Sequence, residues 1–81
     1  MNKIFSKRLK KLRFDREISQ ENLAKALDTT QSKISKWENG NLEPDMETFI
    51  KIALFFAVST DYLYGLDDEF KKPKKYKKDI V

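Results

Sequence analysis

The sequence has no cysteine and no histidine, and only two glycines and two prolines. Without cysteine there is no disulfide framework, no thiolate zinc site and no thiol nucleophile. Without histidine, the commonest general base and the commonest metal ligand are both missing. No apolar run approaches the ~20 residues that span a bilayer. The opening stretch, Met1-Asn2-Lys3-Ile4-Phe5-Ser6-Lys7, lacks the apolar core of a signal peptide. From 81 residues one small domain is expected, with no cleft between two domains and no second domain for a small effector. No Gly-rich phosphate loop or cluster of metal-ligating residues is present. These absences point to a cytosolic (cytoplasmic), non-enzymatic protein with no catalytic residue, no cofactor and no metal.

What is present is charge, and it is segregated. Residues 1–41 hold ten Lys/Arg against five Asp/Glu, residues 42–69 hold Lys51 against seven acids, and residues 70–81 hold six Lys against Asp79. Positive charge gathered in two segments suits a polyanion, either nucleic acid or an anionic membrane surface. A membrane-surface helix would set its lysines beside an exposed apolar face. Here the apolar stripes are needed for a core, so no membrane partner is expected.

The apolar residues recur with helical period throughout. Phe5, Leu9 and Leu12 form one stripe, on a helix ending near Glu17. Ser19 reads as an N-cap, followed by Leu23, Ala24 and Leu27 on a short second helix that Asp28 ends. Thr30 caps a third helix with Ile34 and Trp37 inward, stopped at Asn39-Gly40. Asp45 caps a fourth, whose core stripe is Met46, Phe49, Ala53 and Phe56, flanked by Ile52. Ser59 caps a fifth, closed by Gly65. The expected fold is all-α, five helices around one core over residues 1–66. Residues 67–81, with six lysines, a proline and no periodic face, read as a disordered tail.

Helices 2 and 3 carry the information. A short turn between them forces a steep crossing, with small Ala24 at the closest approach. That leaves the other face of helix 3 exposed: Gln31, Ser32, Ser35 and Lys36, with Lys33 alongside. It is polar, free of acids and able to pair with base edges in a DNA major groove.

The run Ile18-Ser-Gln-Glu-Asn-Leu-Ala-Lys-Ala-Leu27, then Thr30-Gln-Ser-Lys-Ile-Ser-Lys-Trp-Glu-Asn-Gly40 and Glu43-Pro44, resembles the Cro/repressor-type (Xre) helix-turn-helix family. So does Phe49-Ile-Lys-Ile-Ala-Leu-Phe-Phe-Ala-Val-Ser-Thr-Asp-Tyr-Leu63. The likeness spans about residues 5–66. It implies a five-helix, repressor-like DNA-binding domain whose third helix reads double-stranded DNA, as a dimer on a palindromic operator. By the resemblance Gln31, Ser32 and Lys36 contact bases, and Ser35 occupies a more variable contact position. Gln20 meets a phosphate and braces the first recognition residue, and Asn39 and Asn41 approach the DNA backbone. Lys33 and Arg13 join this backbone set, and Arg13 also pairs with Glu38. Asp28 stands where the family's turn usually has Gly, and Glu17 where helix 1 often ends in Gly or Asn.

For a two-fold contact the residues offer Phe55, Val58, Tyr62, Tyr64 and Leu66, more apolar surface than one short helix hides. The alternative for Phe55 is packing beneath the Leu66–Phe70 segment of its own chain. The expected function is a sequence-specific transcriptional regulator, more a repressor than an activator. An antitoxin-type regulator with an unidentified protein partner would use the same motif, and stays open at this point.

Overall fold

The computed structural model describes residues 3–67. Most of the lysine-rich tail expected beyond residue 66 lies outside the described residues. The described elements are five helices: α1 Lys3–Asp15, α2 Gln20–Ala26, α3 Gln31–Asn39, α4 Met46–Phe56 and α5 Thr60–Tyr64. Among the described residues no helix is long and apolar enough to cross a membrane.

Each of α2 to α5 starts on a side-chain oxygen that accepts a first-turn N–H. Ser19 Oγ accepts from Asn22 at 3.0 Å, Thr30 Oγ1 from Lys33 at 3.2 Å, Asp45 Oδ1 from Thr48 at 2.8 Å, and Ser59 Oγ from Tyr62 at 3.0 Å. All five helices end the same way. One residue turns left-handed, and the next donates its N–H five residues back: Ile18 to Arg13, Thr29 to Ala24, Asn41 to Lys36, Val58 to Ala53 and Leu66 to Asp61. The left-handed residues are Glu17, Asp28, Gly40, Ala57 and Gly65. Only the last-named glycine is also demanded by space, since a Cβ on Gly65 would lie 2.9 Å from Ile4 Cγ2.

The core draws on every helix: Phe5, Leu9 and Leu12 from α1, Leu23 and Ala24 from α2, Ile34 and Trp37 from α3, Phe49, Ile52, Ala53 and Phe56 from α4, Leu63 from α5. Leu27 and Val58, from the turns, complete it. Ala24 and Leu27, both 4 % exposed, meet the α3 face where the two helices cross. Met46, expected in the α4 core stripe, is 71 % exposed instead. It is the first residue of α4, and there the stripe has already turned past the edge of the core.

Two of the expected dimer residues belong to this core. Val58 is fully buried and Tyr62 is 7 % exposed. Val58 closes the α4 turn, and the Tyr62 ring lies under the Arg8 guanidinium, 4.3 Å from its centroid. A five-residue helix packed against α1 has too little surface to keep both its apolar faces outside. Phe55, Tyr64 and Leu66 do stay exposed, and so does Leu54.

Candidate nucleic-acid interface

The outer face of α3 is built by what anchors its inner face. Ile34 and Trp37 sit in the core at 0 % and 3 % exposure. Glu38, on the same side, is buried against Arg13 of α1. Arg13 Nε donates to Glu38 Oε2 at 2.6 Å and Nη2 to Oε1 at 2.9 Å, a bidentate, charge-assisted pair. A third donor, Nη1, reaches the Ile18 carbonyl at 3.1 Å. The Glu38 carboxylate raises the Arg13 guanidinium above its already high ordinary pKa. The pair ties the end of α3 to the last turn of α1.

The network continues outward. Gln20 Nε2 donates to Glu38 Oε1 at 3.1 Å, and Gln31 Nε2 donates to Gln20 Oε1 at 3.4 Å. A chain of polar contacts therefore runs from the buried Arg13 through Glu38 and Gln20 to Gln31, the first residue of α3. Gln31 keeps one N–H and its own carbonyl oxygen for a further partner. Ser32 and Lys36 are exposed beside it, and Ser35 is half-buried. Asn39 Nδ2 contacts Ser35 Oγ at 3.5 Å, a long and weak bond, and Asn41 follows in the exposed loop.

Of the other expected backbone residues, Arg13 is placed differently and Lys33 is exposed on the flank of α3. Arg13 is 7 % exposed, and its donors are taken by Glu38 and Ile18. It holds the recognition helix and is withdrawn from any phosphate. Lys33 lies about 130° around α3 from the middle of the Gln31–Ser35–Lys36 face. It lines a shallow cleft with Trp37, Pro44 and Asp45. Its charge contributes to holding the Asp45 carboxyl below its usual range, an effect led by hydrogen bonds from Thr48.

The remaining arginines, Arg8 of α1 and Arg16 just past its end, also act within the fold. Arg8 Nη1 donates to the carbonyls of Tyr62 at 2.5 Å and Asp67 at 2.6 Å, and Arg16 Nη2 to that of Phe56 at 2.7 Å. Each puts a cation on the carbonyl end of a helix, where it opposes the helix dipole. Sequence reasoning missed both, because the partners lie 40 or more residues away and carbonyl oxygens leave no mark in a sequence. The consequence is electrostatic: the arginines are engaged within the fold and Lys11 pairs with Asp15 at 2.9 Å, so the positive charge that α1 presents outward comes from its other lysines.

Two helices crossing at a short turn, the second presenting an acid-free polar face braced from beneath, define a helix-turn-helix domain. A helix-turn-helix domain family model matches residues 6–69, and the chain belongs to that family. The chain is 41 % identical over 59 residues to the HTH-type transcriptional activator BcrR of Enterococcus faecalis, covering 73 % of this chain and 29 % of that one. It is 40 % identical over 78 residues to the SPbeta prophage-derived regulator YonR of Bacillus subtilis, covering 88 % and 72 %. It is 30 % identical over 77 residues to the cryptic phage CTXphi transcriptional repressor RstR of Vibrio cholerae, covering 95 % and 68 %. The named relatives are transcriptional regulators. They include both an activator and a repressor, and the match takes in less than a third of the activator.

Proposed function

We propose that this chain is a sequence-specific double-stranded DNA-binding regulator that acts as a repressor, binding a palindromic operator as a dimer. The observation that carries the reading is the braced Gln31. An amide steered through one long N–H contact by Gln20 still offers one donor and one acceptor, the pair that adenine N7 and N6 require. Lys36 donates to guanine N7 and O6 from one turn further along, with Ser32 and Ser35 between them. Gln20, Asn39 and Asn41 serve the phosphates, which fix register without reading sequence. Lys33, exposed on the flank of α3, adds a backbone contact.

Repression is supported by the relatives: RstR, matched over 68 % of its length, is named a repressor, whereas the match takes in only 29 % of the activator BcrR. A domain that covers an operator blocks access to it. The exposed residues Phe55, Tyr64 and Leu66 at the α4–α5 corner are assigned to the two-fold contact of the dimer. Selection of bound duplexes from a random pool tests the reading. A palindromic consensus, with half-sites about one helical turn apart, is the expected result. An unenriched pool would overturn it.

A further inference from the structure

The structure exposes an apolar stripe that neither the core nor the recognition face uses. Met46, Ile50 and Leu54 follow one another at four-residue spacing along α4, at 71 %, 42 % and 64 % exposure. The stripe lies about 110° around α4 from its core face, and on the opposite side from Phe55. Its outer flank carries Glu47 and Lys51, both exposed, and neither makes an ion pair with a described residue.

We infer that this stripe is a self-complementary contact for a second copy of the chain, α4 against α4 in antiparallel register. The charges select that occupant. Under a two-fold axis at the middle of α4, Met46 meets Leu54 of the second copy, Ile50 meets Ile50, and Glu47 faces Lys51 on the same flank. The midpoints of the 46/54 and 47/51 pairs differ by one residue, ~1.5 Å along the helix, so both pairings form together. A parallel two-fold would put the Glu47–Lys51 flanks of the two copies on opposite sides of the contact, where they could not pair.

Three partly exposed side chains and two flanking charges fall well short of the ~800 Å² per partner of a stable complex. The contact is therefore too weak to form between free molecules at ordinary concentration. It forms where another restraint raises the effective concentration, as it does between copies bound side by side on one duplex. Resting on the DNA-binding reading above, the inference is that α4 joins neighbouring DNA-bound copies and makes their binding cooperative.

The test compares the full chain on duplexes carrying one selected operator and two in tandem, with the spacing stepped through a helical turn. At a favourable spacing the second operator should fill on the order of tenfold more tightly than the first. Ile50→Asp should abolish that gain and leave single-operator affinity unchanged. Glu47→Lys and Lys51→Glu should each abolish it, and the double reversal should restore it. Independent filling of the two operators at every spacing, or cooperativity that survives Ile50→Asp, overturns the α4 contact and leaves the regulator reading standing. Failure to select any operator overturns both.

Discussion

At the residue scale the central group is Glu38, which takes hydrogen bonds from two helices and passes order to a third. Its side chain is 2 % exposed and that of Arg13 is 9 % exposed. Removing one member of such a pair leaves the other buried without its partner, at a cost of about 3–5 kcal/mol. Glu38→Ala should therefore lower the free energy of unfolding by that order in denaturant titration. Glu38→Gln should fold better than Glu38→Ala, because its carbonyl still accepts from Arg13, yet release Gln20 in part. The resemblance supplied the pairing of Arg13 with Glu38. It also supplied Gln20 as the brace of the first recognition residue; only the structure shows that Gln20 joins that brace to the buried pair through Glu38, because spacing along the chain does not say which atoms meet.

At the element scale the helix ends decide more than the helix interiors. Glu17, Asp28 and Ala57 sit left-handed at φ of 53°, 56° and 56°, a conformation that costs an ordinary side chain energy and glycine almost nothing. Glu17→Gly and Ala57→Gly should each stabilise the fold by roughly 0.5–1 kcal/mol, read as a raised melting temperature, with a smaller gain for Asp28→Gly. Gly65→Ala runs the other way, since it combines a φ of 103° with a clash against Ile4. Asp45 adds a pH dependence. Hydrogen bonds from Thr48, with Lys33 and Lys51 nearby, depress its carboxyl. A depressed carboxylate stabilises the fold above its unfolded pKa, and that contribution is lost as pH falls through the lower folded value. Asp45→Asn should flatten acid unfolding in this window while keeping an N-cap.

The caps were legible because a capping Ser, Thr or Asp bonds a backbone group three residues away, and so acts within its own stretch of sequence. The faces of the short C-terminal elements were not. Five residues of α5 make less than two turns, too few for a period to show which side is buried, so Val58 and Tyr62 read as surface when they are core. Met46 was misread for a related reason, since a stripe extrapolated to a helix end has no neighbour to cover it. On α3 the polar face was legible, because nine residues with Ile34 and Trp37 on one side leave little choice for the other. That Lys33 shares a cleft with Asp45 was not, because it depends on where α4 begins in space.

At the scale of the whole molecule the account makes two claims, a dimer and a split of the positive charge into two roles. Phe55→Glu with Leu66→Glu should give folded monomers by sedimentation that bind half-sites weakly. An assembly unaffected by both changes would place the two-fold contact elsewhere. Deleting residues 71–81 removes six lysines and should lower the salt slope of binding by ~0.9 for each phosphate they had neutralised. Sequence preference should remain, because the tail carries no part of the α3 face.

The central claim is that α3 reads bases through Gln31 and Lys36. The most direct measurement is the affinity of the native chain, Gln31→Ala and Lys36→Ala for every single-base variant of the selected operator. The account predicts that each substitution loses ~1–3 kcal/mol at one base pair per half-site and flattens preference there, leaving the other positions as they were. Equal weakening on every duplex, with all preferences intact, would contradict it.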